Sequence, residues 1–449
     1  MTNRDYDRRN TINRIEKIYR NLEKILDSLP KAFPSAMKDQ IKDMVLGDDE
    51  LKKIIEDLEG YRPPKFFLIG RTGVGKSSLV NAINGRYLAP VNDVYAQTRG
   101  VDIYDYKQED QILLQILDTR GLSESLALDD NISAEEMIKK ELRAFLPDLC
   151  LFMLNASHRD DIGRDVRFIK NLCEDYKKNS GVELPVICII NKVDELAPSR
   201  FKDPSQYPLS KTKNINEVVS YYGDIIKKED LKLESIIAVS SLMDWKLDDE
   251  FIDADRINDL AIEDLERLEL AFDGRYKIDE LIDALEDAIV DYKAVMGLRI
   301  ACRMDKIMGD LADKLTQIFS AFSATIALTP IPVADLYPLF ALQVVLVTLI
   351  AGLSARDISL KSSKEFIMSI GGVGIAANIF RFSAQQLSKF LNIFSITAGS
   401  AVSASVAAFG TKAIGEAAKN YYIEGIDIKK VKKELRNKIK KEKTKKNWG

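Results

Sequence analysis

Eight residues, Gly70-Arg71-Thr72-Gly73-Val74-Gly75-Lys76-Ser77, constrain the fold of this chain more than any other stretch. They fit the pattern G-x-x-x-x-G-K-[ST]. Before them, Lys65-Phe66-Phe67-Leu68-Ile69 is a short apolar run that reads as a buried strand. After them, Ser77–Ile83 carries apolar residues at helical spacing. Strand, glycine loop and helix in that order make a phosphate cradle. Glycines let backbone N–H groups curl around phosphate oxygens with no Cβ in the way, and the helix start adds donors and the positive end of a dipole. Gly70, Arg71, Thr72, Gly73, Val74, Gly75, Lys76, Ser77 and Ser78 are therefore candidate nucleotide-binding residues. Lys76 is expected to reach β- and γ-phosphates, and the Ser77 hydroxyl to ligate Mg²⁺.

From Lys65 to about Val290 the pattern alternates strands with helices. Val101–Tyr106 and Gln111–Leu117 read as strands, the second ending in Asp118-Thr119-Arg120-Gly121. Asp148–Leu154 is the next strand, followed by a charged helix near 161–178. Leu184–Ile190 is almost wholly apolar, as a strand covered on both faces must be, and runs into Asn191-Lys192-Val193-Asp194. Residues 195–213 contain Pro198, Pro204 and Pro208 and read as an inserted loop, with a helix over 216–228. Ser235–Val239 is expected to be the last strand, leading into Ser240-Ser241, with helices at 254–270 and 278–292 closing the domain. The predicted fold class is α/β: a doubly wound, mostly parallel sheet with ligands at the carboxyl ends of its strands.

The glycine loop, Thr98, Asp118–Gly121, Asn191–Asp194 and Ser240-Ser241 come in GTPase order. Residues 65–290 thereby resemble the Era-like GTPases, a bacterial branch that includes ribosome-binding members. Asp194 offers two acceptor oxygens to the two adjacent donors on guanine's Watson–Crick edge, a pair that adenine lacks. The resemblance implies further roles. Asn191 braces the base and its loop, the Lys192 stem lies along the base, and the Ser240 and Ser241 N–H groups meet the guanine oxygen. Ser77 and Thr98 ligate Mg²⁺ directly, Asp118 holds it through a water, and the Gly121 N–H meets the γ-phosphate. Lys76, Thr98, Gly121 and Arg120 are the candidate catalytic residues, with Arg71 and Arg99 as further charge stabilisers beside the phosphates. Ras-like enzymes place a water-orienting Gln after the Asp-x-x-Gly motif; here that position is Leu122. Some relatives hold a potassium ion through an Asn where this chain has Gly73. Slow Mg²⁺-dependent hydrolysis of GTP to GDP, faster on self-association or with a partner, is the expectation.

The flanking regions differ in character. Ile12, Ile15, Ile18, Leu22, Ile25 and Leu29 recur at helical intervals, Pro30 and Pro34 interrupt, and a second helical region follows over 41–58 with Gly47 inside it. Residues 293–324 read as one long amphipathic helix. Beyond it, Leu336–Leu353 is an uncharged run of eighteen residues, and Phe390–Thr411 is a second of 22. The Thr329–Asp335 segment, Leu336–Leu339 and Gln343 resemble an uncharacterised domain that is found fused to Era-like GTPases and in an inner-membrane protein family. A soluble buried bundle, a membrane-spanning hairpin and a shallow interfacial insertion are all consistent with such runs. Residues 429–446 carry eleven Lys/Arg and two Glu, so this segment is +9 and the rest of the chain −13.

The organisation expected is an N-terminal helical appendage (1–62), a GTPase domain (63–292), an all-α hydrophobic domain (293–428) and a basic tail (429–449). Cys150, Cys173, Cys188 and Cys302 form no CxxC pair and His158 is the only histidine, which argues against a His-based metal site or triad. Residues 1–13 have no apolar core, so no signal peptide is expected. The setting that follows is cytoplasmic, with GTP as ligand, a homodimer through the GTPase domain, and residues 320–446 touching the inner face of the cell membrane. A ribosome or RNA partner is less favoured, because no aromatics interleave the lysines. The competing reading is a GTP-dependent membrane-remodelling scaffold of dynamin-like or immunity-related type, in which hydrolysis only resets the assembly.

Overall fold

The computed structural model describes residues 12, 13, 15, 22–27, 35–88, 90–92, 101–108, 111–119, 131–157, 162–253, 256, 257, 259–265, 267–328, 337–354, 359–381 and 400–446. The chain divides into two units. One is Tyr61–Arg303; the other joins the residues up to Gly60 with those from Met304 onward.

Before the first strand the described residues include α1 (Leu22–Asp27), α2 (Ser35–Leu46) and α3 (Asp49–Gly60). Gly47 ends α2, its N–H bonding the Asp43 carbonyl at 2.8 Å. Asp48 then caps α3, its carboxylate accepting from the Leu51 N–H at 2.9 Å, with Asp49 and Glu50 in the first turn. Acidic residues there suit the positive end of the helix.

The α/β unit begins with β1 (Lys65–Gly70), α4 (Lys76–Asn84), β2 (Pro90–Asn92), β3 (Val101–Gln108) and β4 (Gln111–Thr119). It continues with α5 (Asn131–Phe145), β5 (Leu149–Asn155), α6 (Gly163–Ser180), β6 (Val186–Asn191), α7 (Leu209–Lys228) and β7 (Ser235–Ala238). These strands form one sheet in the order β2-β3-β4-β1-β5-β6-β7. All neighbours from β4 to β7 are parallel, while β3 runs antiparallel to β4 and β2 antiparallel to β3. Successive side chains leave a strand on opposite faces, so Phe67 and Ile69 pack beneath α5, α6 and α7, whereas Phe66 and Leu68 pack on the other side with Leu79, Val80 and Ile83 of α4. This is the doubly wound α/β arrangement that the alternation of elements predicts. Cys150 and Cys188 lie buried in β5 and β6, where burial pushes their thiols up.

The region after β7 corrects the sequence reading. No long helix covers 254–270, and Ser235–Ala238 is not the last strand. Instead β8 (Ser240–Leu247), β9 (Glu250–Ile252), a one-turn helix α8 (Ile262–Leu265) and β10 (Glu269–Tyr276) follow. The strands form a separate antiparallel sheet, β10-β8-β9, around Trp245, Ile252, Ile257 and Leu268. The turn between β8 and β9 is only Asp248-Asp249, at φ 51° and 66°, the paired left-handed conformation that matches hairpin twist. Helix α9 (Ile278–Ala288) then packs back on the main sheet. The predicted single helix over 293–324 is two: α10 (Tyr292–Cys302) and α11 (Met304–Leu328), with the break at Arg303. Ala294, Val295, Leu298 and Ala301 of α10 join the apolar layer beneath α4, which assigns this helix to the α/β unit.

Arg62 fixes the stretch before β1. Its guanidinium spans both Asp148 oxygens at 2.5 and 2.8 Å and Asp291 at 2.8 Å, while its N–H donates to the Lys293 carbonyl at 3.2 Å. A bidentate arginine on a mostly buried carboxylate is both strong and geometrically exacting. It ties the start of β5 and the start of α10 to the chain entering β1.

The other unit adds α12 (Tyr337–Leu353), α13 (Leu360–Arg381), α14 (Ser400–Tyr422) and α15 (Ile428–Lys446) to α11. The uncharged run 336–353 becomes α12, which packs against α11, α13 and α14 with Phe340, Leu342, Val345, Leu346, Val347 and Ile350 buried. Its sparse polar groups are paired: Gln343 donates to Thr411 Oγ1 at 3.3 Å, and Thr348 to Ser363 Oγ at 2.9 Å. Among the described residues no helix is long and apolar enough to cross a membrane. Residues 390–399 of the second uncharged run lie outside the described residues. Helix α15 is anchored through buried Val431 and Leu435, so the basic segment is a packed helix rather than a loose tail.

Helices α11 and α14 approach closely at Gly415, where an added Cβ would stand 2.2 Å from Thr316 Oγ1. Only a glycine admits that spacing. Gly415→Val is therefore expected to destabilise the helical unit by about 1–3 kcal/mol. Denaturant unfolding followed by circular dichroism checks this; an unchanged midpoint would refute the close packing.

Candidate functional site

The glycine loop leaves β1 and turns back into α4 with Gly73 at φ 80° and Gly75 at φ 88°. Two left-handed residues so close together aim successive N–H groups into one concavity, a ready anion nest. Gly75 is required for a second reason. A Cβ there would lie 2.6 Å from Asn191 Nδ2 and 3.8 Å from Lys192 Cε. The phosphate loop and the Asn191–Asp194 motif, more than a hundred residues apart in sequence, thus touch at a position only glycine can occupy.

Lys76, at the first residue of α4, sends its ammonium to the end of β4. It stands 2.7 Å from Asp118 Oδ1 and donates to the carbonyls of Thr119 at 3.2 Å and Gly70 at 3.3 Å. Parallel pairing of β1 with β4 sets Leu68 opposite Asp118, which brings the two loops to one edge of the sheet. Tyr106 on β3 is buried beside Ser77 and Asp118; burial and the charge of Asp118 both push its hydroxyl pKa up. Ser77 and Asp118 therefore share one neighbour. A hydroxyl and a carboxylate are hard oxygen donors, which fits Mg²⁺. Arg71 reaches Asp165, a buried residue in the first turn of α6, at 3.0 Å. That tether gives Arg71 a fixed place, unlike a solvent-facing loop arginine.

At the other end of the site Asn191 is fully buried. Its Nδ2 donates to the Val74 carbonyl at 2.9 Å, and its Oδ1 accepts from the Ser241 N–H at 3.2 Å, with the Ser241 hydroxyl also in contact. The Ser241 N–H, which family likeness assigns to a guanine oxygen, is thus taken by the Asn191 carboxamide, because burial leaves that oxygen no water to accept from. Lys192 adopts a left-handed φ of 66°, and a 3₁₀ turn, Val193–Glu195, follows it. Asp194 is buried, and its carboxylate accepts from the Ser240 hydroxyl at 2.9 Å and from Lys202 at 2.9 Å. Beneath it the buried Lys211 ammonium donates to the Asp194 and Leu196 carbonyls at 2.8 and 2.7 Å, and burial lowers its pKa.

The structure therefore gathers Gly70–Ser78, Asp118, Asn191, Lys192, Asp194, Ser240 and Ser241 at the carboxyl ends of β1, β4, β6 and β7. Thr98, Arg99, Arg120, Gly121, Leu122 and His158 lie outside the described residues. Lys202, Lys211, Tyr207, Tyr106 and Asp165 were not legible as site residues. No short motif marks them, and four of the five reach the site only through the fold of an insertion or the register of the antiparallel strand β3.

Residues 65–192 match the family model of the 50S ribosome-binding GTPases, and residues 297–447 match a domain of unknown function (DUF697). The chain is similar to GTPase Der of Chloroherpeton thalassium, 27% identical over 203 residues, which covers 45% of this chain and 44% of that protein. It is also similar to the tRNA modification GTPase MnmE of Coxiella burnetii, 28% identical over 142 residues, covering 31% of this chain and 29% of that protein. The chain spans less than half the length of either relative. Among solved structures, a probable GTP-binding protein engB aligns at 14% identity and a TM-score of 0.27, covering 50% of this chain and 98% of that one. The chain accordingly carries a GTPase G domain together with a helical domain of unknown function.

Proposed function

We propose that this protein binds GTP and Mg²⁺, hydrolyses GTP to GDP and phosphate, and uses the exchange as a switch on its helical unit. The observation that carries this reading is the buried Asn191 carboxamide, bonded at once to the phosphate loop and to Ser241. Phosphate loop and proposed base-reading loop are thereby joined in one site. Asp194 selects guanine, since a base without adjacent donors leaves a mostly buried carboxylate unsatisfied. The Gly73–Gly75 nest and the Lys76 ammonium neutralise the phosphates. Ser77, Asp118 and, by family likeness, Thr98 would hold Mg²⁺, which supplies charge neutralisation on the transferring phosphoryl group. Leu122 offers no group to orient water, so a second copy of the chain or a partner is needed for fast turnover.

Phosphate release measured on dilute protein checks this. Turnover is expected well below about 1 per second and is abolished by Lys76→Ala, with GDP binding weakened in parallel. A dilute monomer turning over at about 10 per second, a rate typical of assisted GTPases, would contradict the account of Leu122.

The switch acts through the two places where the chain passes between its units, 60–61 and 303–304. On the α/β side the Arg62 N–H bonds the Lys293 carbonyl, which ties the first passage to the start of α10, the helix that leads to the second. What the helical unit meets is, in this proposal, the anionic inner face of the cell membrane. Val431 and Leu435 turn inward, leaving Lys429, Lys430, Lys433, Arg436, Lys438 and Lys441 exposed on α15. Each basic residue near an anionic bilayer contributes about 1 kcal/mol. Co-sedimentation with phosphatidylserine vesicles should show binding that high salt removes, and that differs between GDP and a non-hydrolysable GTP analogue. Equal binding to neutral vesicles would overturn it.

A further inference from the structure

The segment between Asp194 and α7 returns to the carboxylate it has just left. Lys202 Nζ stands 2.9 Å from Asp194 Oδ2 and 3.4 Å from the Asp194 carbonyl. Ser240 Oγ occupies Oδ1 at 2.9 Å. Both oxygens expected to read the base therefore already have a donor from this chain. The return path is well fixed. Lys211 pins it from below through the Asp194 and Leu196 carbonyls, and Tyr207 closes it by packing on Tyr276 of β10 at 5.4 Å. The Tyr207 hydroxyl is buried with no hydrogen-bond partner among the described residues, and the charge of Asp194 joins burial in pushing its pKa up. On the facing strand β8, Asp244 is a second, half-buried carboxylate. Burial raises the Asp244 pKa, and the nearby Lys202 charge pulls it back down.

We propose that Lys202 is a latch on the base-reading carboxylate: its ammonium and the Watson–Crick edge of guanine compete for Asp194. The inference rests on the guanine-binding reading above. The two donors at Asp194 differ in kind. The Ser240 hydroxyl makes one neutral hydrogen bond and leaves a lone pair on Oδ1 for a second donor. Lys202 brings a full charge to Oδ2, so a guanine N–H arriving there meets an oxygen whose charge is already neutralised and must compete with the ammonium for it. The Lys202 side chain is 42% exposed and the Asp194 side chain 8%. The pair is thus screened on one side, and the barrier it sets to nucleotide is moderate.

The test is GDP affinity and association rate in wild type and Lys202→Met, at low and high salt. The variant keeps the aliphatic stem and loses the charge. It is expected to bind GDP about two- to fivefold more tightly at low salt, with faster association, and the advantage should shrink as salt screens the pair. Lys202→Arg should keep the wild-type affinity. Equal or weaker binding by Lys202→Met, or an advantage indifferent to salt, overturns the latch while leaving the GTPase reading intact. Failure of the wild type itself to bind GDP overturns both.

Discussion

The carboxamide of Asn191 is the contact on which the site depends. It lies at the end of β6, a strand with no exposed residue, so its polar atoms have no water to fall back on. Each must be satisfied by protein, and a buried amide left unpaired costs about 1–3 kcal/mol. The partners available are the Val74 carbonyl on one side and Ser241 on the other. Meeting that requirement welds three loops, after β1, β6 and β7, into one rim. The Gly75 backbone is the counterpart of this weld, since any side chain there would strike the same amide.

The sheet makes such convergence possible. In a parallel sheet the strand ends that follow β1, β4, β6 and β7 open on one edge, so loops distant in sequence become neighbours without long excursions. The site then divides by chemistry. At the phosphate end are a nest of backbone N–H groups, a lysine and two hard oxygen donors. At the other end is the Asp194 carboxylate, held by Lys202 and Ser240. Lys202 and Lys211 belong to the second half. One neutralises the Asp194 carboxylate and the other ties down the backbone beneath it. An insertion that looks like a connector thus supplies two lysines to Asp194.

Much of this was legible in the residues. The apolar runs at 65–69, 148–154 and 184–190 could hardly be anything but covered strands, and motifs at their ends had to meet once the sheet formed. The small sheet after β7 was missed for a physical reason. Residues 254–270 alternate acidic and apolar groups densely enough to satisfy a helical period, and the decisive signal was the Asp248-Asp249 turn, whose left-handed geometry is more often announced by Asn-Gly. Arg303 gave no warning of a helix break because it is an ordinary helix former; it is held by Asp283 and Glu286, 20 and 17 residues earlier. Lys202 could not be recognised at all, because its partner is set by how an insertion with three prolines folds back. The uncharged run 336–353 was ambiguous by length alone, and the pairing of Gln343 and Thr348 inside a helical bundle shows what its few polar residues are for.

The central claim is that a single guanine-selective nucleotide site is built across the Asn191 junction. Titration calorimetry of the purified protein with GTP and, separately, ATP in the presence of Mg²⁺ tests it most directly. The account predicts one site per chain that prefers GTP by at least about 100-fold, because adenine leaves the Asp194 carboxylate without its donor pair. Equal affinity for the two nucleotides would contradict it.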